Sequence, residues 1–69
     1  MNVDKDYYFI LGTLQTAEDT VIRAAYKALS QKYHPDKNQE RKEFADEKMS
    51  DINEAYSILY NTIKRKQYD

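Results

Sequence analysis

One Pro and one Gly are the only strong backbone breakers in 69 residues. The Pro lies within Tyr33-His34-Pro35-Asp36-Lys37-Asn38, between two long segments of helical periodicity. Proline has no backbone N–H and disfavours the α region for the residue before it, so a helix arriving from the N-terminal side must stop at about Tyr33. His34, the chain's single His, and Asp36 are then left on a stiff polar corner. Such a corner has little apolar surface to bury, which makes it a candidate contact site. Elsewhere the shortage of breakers leaves room for few turns and points to an all-α chain.

The periodicities set out four helices. Asp6 to Leu11 carries Tyr7, Ile10 and Leu11 at i, i+3 and i+4, a single stripe on a short helix. Gly12 is suited to a left-handed C-terminal cap. Thr16-Ala17-Glu18-Asp19 approaches a capping box, so the second helix is expected to start at Thr16 and to run to about Tyr33. Its apolar face is Ile22, Ala25, Leu29 and Tyr33, with Tyr26 at the edge. A third helix is expected to begin between Gln39 and Glu43 and to run to about Tyr60. Its stripe is Ala45, Met49, Ile52, Tyr56 and Leu59, and the small Ala55 permits close approach of a neighbour. Two such stripes joined by a loop imply an antiparallel helical hairpin. A fourth helix, Thr62 to Tyr68, follows an Asn61 cap. Ile63 and Tyr68 are expected to pack back, leaving Lys64, Arg65 and Lys66 exposed.

Size limits the outcome to one domain, residues 1–69, that buries only about 60% of its unfolded surface. Cys is absent, so no disulfide or thiolate metal site is expected. Eleven basic residues against 12 acidic give a net charge of -1, unfavourable for a general nucleic-acid binder. A helix-turn-helix reading also conflicts with a loop longer than the usual turn of about 3–4 residues. The apolar runs are far shorter than the roughly 20 residues of a membrane span, and no basic start with an apolar stretch marks a secretory signal. Membrane contact from this segment is therefore not expected.

On the second helix, Arg23, Lys27 and Ser30 fall within roughly 60° of one another at the helical period, with Tyr26 beside them and Lys32 on the opposite flank. An ordinary solvated face accounts for such a strip. A docking strip for an acidic partner accounts for it too, and the strip leads toward His34, Pro35 and Asp36. The bland reading of the corner is a proline stop, with Asp36 or Asn38 capping the third helix. A lone His with no second His or Cys is not a metal site. Ser30 and Ser50 lack a Gly-rich elbow, and a small solid helical core offers no obvious substrate pocket.

These residues together resemble the J domain of the DnaJ (heat-shock forty-kilodalton) co-chaperone family over nearly the whole chain. Asp6-Tyr7-Tyr8-Phe9-Ile10-Leu11-Gly12 is similar to the family's opening helix. Ala25-Tyr26-Lys27 and Lys32-Tyr33-His34-Pro35-Asp36-Lys37-Asn38 are similar to its second helix and signature loop. Ile52-Asn53-Glu54-Ala55-Tyr56 with Leu59 resembles the third helix, and Lys64-Arg65 with Tyr68-Asp69 the fourth. The resemblance implies a short four-helix fold with a long antiparallel hairpin. It implies a module that is not an enzyme, but that binds a DnaK-type (seventy-kilodalton heat-shock) chaperone and stimulates its ATP hydrolysis.

Under that resemblance His34, Pro35 and Asp36 would form the stimulating loop, and Arg23, Tyr26, Lys27 and Lys37 the docking residues. No cofactor is implied, and a monomer is expected. Ala24 and Ala28 stand where many members carry basic residues, so the strip is thinner and steering weaker. Met49 stands where an aromatic is common, and its flexible thioether should repack locally. The alternative is a helical interaction module on the same scaffold with a different partner. The compartment is left open, with cytoplasm as the default. Tyr68-Asp69 falls where such domains commonly end, so a larger parent protein is an expectation of the resemblance.

Overall fold

The computed structural model describes residues 4–69, with Pro35 described by its backbone alone. It contains α1 (Tyr7–Leu11), α2 (Asp19–Lys32), α3 (Lys42–Leu59) and α4 (Thr62–Tyr68). Two single 3-10 turns, Pro35–Lys37 and Gln39–Arg41, join α2 to α3. The described residues include no strand, and no helix among them is long and apolar enough to cross a membrane.

α3 is the spine, and α1, α2 and α4 all pack on it. α2 and α3 run antiparallel, as their side-chain pairs show. Tyr33, after the end of α2, meets Phe44 at the start of α3 with ring centroids 6.0 Å apart. Tyr26, one helix half earlier, stacks on Tyr56 at 4.0 Å. The core joins Tyr7, Tyr8 and Leu11 of α1, Ile22 of α2, and Ile52, Ala55, Ile58 and Leu59 of α3. Ala25, Tyr26, Leu29, Tyr33, Met49 and Tyr56 seal its margins. Ala55 is fully buried, and its lone methyl lets the neighbouring elements close in.

The short helices are set by their caps. The Asp6 carboxylate accepts the Phe9 N–H at 3.0 Å, so Asp6 lies just outside α1 as its N-cap. Gly12 takes φ 68°, the left-handed conformation that closes the helix. Asn61 Oδ1 accepts the Lys64 N–H at 3.0 Å and starts α4. The open N–H of Tyr7, at the first position of α1, is taken by the Tyr68 hydroxyl at 3.2 Å. Tyr68 donates in turn to the Lys5 carbonyl. The Tyr7 hydroxyl donates to Glu54 at 2.6 Å, which ties α1 to the middle of α3.

Three expectations are corrected. Thr16 does not cap α2, which begins three residues later after Glu18, with no side-chain cap bond. Residues 14–17 instead form a turn closed by the Ala17 N–H on the Leu14 carbonyl, and the Arg65 guanidinium binds the Gln15 and Ala17 carbonyls at 3.1 and 2.6 Å. Those bonds outweigh one cap of about 1 kcal/mol. Arg65 is therefore not exposed: 17% of its side chain is accessible, and its Nε also donates to the Tyr8 hydroxyl at 3.0 Å. Ile63 does not pack back and remains 70% exposed. Arg65 and Tyr68, three residues apart, share the inward face of α4, and Ile63 falls opposite.

Candidate functional site

The bend between α2 and α3 is built from the backbone outward. α2 stops at Lys32, and Tyr33, with φ -103° and ψ 15°, closes it by donating to the Leu29 carbonyl. Pro35 opens a 3-10 turn, which the Lys37 N–H closes on the His34 carbonyl at 3.0 Å. Asn38 does not cap α3. Its Nδ2 donates to the carbonyls of Lys32 and His34, at 2.9 and 3.0 Å. It thus supplies donors to the end of a helix whose last carbonyls the proline stop leaves open. The sequence reading considered Asn38 only as a cap for the following helix. The clue to its actual role was an amide just beyond a helix end that lacked donors.

His34 and Asp36 face outward, with 55% and 87% of their side chains accessible. His34 Nδ1 accepts the Asp36 backbone N–H at 3.2 Å. The same nitrogen lies 3.7 Å from Asp36 Oδ2. A nitrogen that accepts an N–H carries no proton, so this contact requires the neutral imidazole with its proton on Nε2. The 3.7 Å approach is then not an ion pair. The Asp36 carboxylate is left to solvent, and Asp36 caps neither helix. The ring of Pro35 lies outside the described atoms. Lys37 is exposed at the end of the turn. Residues 36–41 line an open hollow beside the corner.

Along α2, Arg23 and Lys27 are exposed, and with Thr20 and Ala24 they line a shallow depression on its outer face. Tyr26 is half-buried, with its ring on Tyr56 and its hydroxyl donating to Asn53 Oδ1 at 3.0 Å. Only its outer edge is available to another molecule. Ser30 is half-buried and its hydroxyl oxygen is out of solvent, so it adds nothing to the strip. Arg41 and Lys48 sit over the Phe44 ring at 4.2 and 5.6 Å, fixing cations on the α3 side of the corner. The arrangement presents a carboxylate and an imidazole on a braced turn beside a two-cation strip. It holds no nucleophile with an adjacent base. What it exposes is charge and hydrogen-bonding groups.

The chain matches the family model described as DnaJ domain over residues 6–69. It is 52% identical over 66 residues to the Chaperone protein DnaJ of Dichelobacter nodosus, covering 96% of this chain and 18% of that protein. Its identity to the Chaperone protein DnaJ of Chlorobaculum tepidum is 51% over 65 residues, 94% of this chain and 16% of the relative. The Chaperone protein DnaJ of Clostridioides difficile is 49% identical over 69 residues, 100% of this chain and 18% of its own. The chain thus spans less than a fifth of the length of these curated relatives.

Proposed function

The chain belongs to the DnaJ domain family, and from that premise we propose that it is a co-chaperone module that docks on a DnaK-type chaperone and accelerates its ATP hydrolysis. The observation that carries this reading is the outward corner. His34 and Asp36 are spent on no core contact, and Asp36 bonds through its backbone while its carboxylate stays in water. An activator works by binding one partner conformation better than another. A corner already held by the Lys37, Asp36 and Asn38 bonds loses little entropy on docking. Asp36 then pairs with a cation of the partner and weakens contacts that hold it in its slow state.

Pro35 stops α2 and sets the turn. Arg23 and Lys27 meet an acidic surface on the partner. Tyr26 contributes the exposed edge of its ring, and Lys37 extends the cationic side past the corner. The domain performs no chemistry itself, and the hydrolysis takes place in the partner.

The test is single-turnover hydrolysis by a DnaK-type chaperone preloaded with ATP, with and without the folded domain. Acceleration that saturates with domain concentration is expected. A folded domain that leaves the rate unchanged, and that retrieves a different partner from solution, would favour the alternative of a helical interaction module and overturn the proposal.

A further inference from the structure

The bond from the Asp36 N–H to His34 Nδ1 has a consequence beyond surface chemistry. In the 3-10 turn Pro35–Lys37, the first position has no N–H, and the turn supplies no carbonyl for the second. The orphan donor is the Asp36 N–H, and the acceptor that reaches it is the imidazole. His34 thus occupies the place that Asn, Asp or Ser takes at a helix N-cap. Its Nδ1 hangs from Cγ as the Oδ1 of an Asn would.

We propose that His34 is the positioning residue for Asp36 and acts through Nδ1 as an acceptor, so that the corner is competent only while the imidazole is neutral. The inference rests on the chaperone-docking reading above for its functional arm, but its structural arm stands alone. Protonation would put a hydrogen on Nδ1, facing the Asp36 N–H, and the bond would be lost. The imidazolium would then attract the Asp36 carboxylate, whose Oδ2 lies 3.7 Å away. The charge meant for the partner would be drawn back into the domain.

The surrounding charges leave Asp36 as the group that decides this. Lys32 ends α2 and lies 5.4 Å from the centre of the Tyr33 ring. Lys37 follows Asp36 in the turn, and Glu40 and Arg41 occupy the next. Lys42, Glu43 and Lys48 come from the first half of α3. Arg41 and Lys48 are turned onto the Phe44 ring. Among the described residues, Asp36 is the acid within ion-pair reach of the imidazole.

The experiment has two arms on the folded domain. In the first, without any partner, long-range proton–nitrogen NMR correlations report which imidazole nitrogen carries the proton, and a pH series follows the Asp36 amide. The Nε2–H form is expected, with the Asp36 amide shift titrating in step with His34. A proton on Nδ1, or an Asp36 amide indifferent to His34, would overturn the proposal. In the second arm, His34→Asn and His34→Gln are compared in stimulated hydrolysis. Asn keeps the acceptor on Cγ, and Gln moves it one carbon too far. About a tenfold advantage of Asn over Gln is expected, the effect of one retained hydrogen bond. Wild-type stimulation should fall as the pH is lowered through the titration seen by NMR. Equal loss in both variants beside an active wild type would overturn the proposal. A wild-type domain with no stimulation would remove the docking reading instead, and the NMR arm would still decide the contact.

Discussion

One amide group ties the last residue of α2 to the turn that follows it. Asn38 Nδ2 donates to both Lys32 and His34, so Asn38→Asp would replace the donor with a charged acceptor facing two acceptors. Loss of such bonds costs about 1–3 kcal/mol. A lower urea midpoint at unchanged slope, equivalent to that loss of unfolding free energy, is expected, with stimulation weakened though His34 and Asp36 are untouched. An unchanged midpoint would show that the amide does not brace the corner. Gly12 acts through conformation alone. An added Cβ there meets nothing within 4 Å, yet φ is 68°. Gly12→Ala should cost roughly 1 kcal/mol of strain in the same denaturation assay. Gly12 and Asn61 were legible in the sequence because each cap is decided by the residue's own chemistry. Asn38 was misread because its partners lie behind it in the chain, and a cap pattern looks forward.

Among the elements, α4 is held by polar anchors. Arg65 joins Tyr8, Asp19 and the Gln15 and Ala17 carbonyls, and Tyr8 donates to Asp69 at 2.7 Å. Arg65→Ala should therefore release both α4 and the turn before α2, at a cost of about 1–3 kcal/mol, because it removes the donor from the Gln15 and Ala17 carbonyls and leaves the Tyr8 hydroxyl with its Asp69 bond alone. Ile63→Ser should change stability by less than about 0.5 kcal/mol, as expected for an exposed position. Hydrogen exchange on the α4 amides separates the two variants, and equal protection in both would contradict the anchoring. The long helices were legible because their stripes repeat over three or more turns. Seven residues of α4 give too short a stripe to choose between faces, and an apolar Ile63 is a weaker guide than a Tyr-Arg pair that satisfies other elements' polar groups. The start of α2 was misplaced for a related reason: the carbonyls that decide it are bound by a residue about fifty positions away.

At the scale of the molecule, folding joins charges remote in sequence, and stability should follow pH accordingly. The hydrogen bond from Tyr7 holds the Glu54 carboxyl below its ordinary range, with Lys5 assisting. A lowered folded pKa stabilises the fold above the unfolded value and is lost as pH falls through the folded one. Burial, with the bond to Asp69, raises the Tyr8 hydroxyl, and the Asp51 and Glu54 carboxylates raise Lys5. Their contributions are present below the unfolded values and are lost as pH rises through the folded ones. Urea midpoints should thus form a plateau that declines on both sides, and Tyr7→Phe should flatten the acid limb; an unaltered limb would discount that bond. With a net charge of -1, the long-range field is weak, and under the proposed docking the approach to an acidic partner would fall to Arg23 and Lys27. Replacing both with Ala should slow association and flatten its salt dependence, since such pairs are screened over about 10 Å at 0.1 M salt. The exposed corner was legible because proline fixes where the helix stops; the contact of the Asp36 N–H with His34 Nδ1 was not, since it depends on the local backbone. The most direct measurement is single-turnover ATP hydrolysis by a DnaK-type chaperone with wild-type domain or Asp36→Asn, which removes one exposed charge and leaves the backbone bond to His34 in place. The wild type should accelerate hydrolysis and the folded variant should not; equal acceleration by both would contradict the role given to the corner.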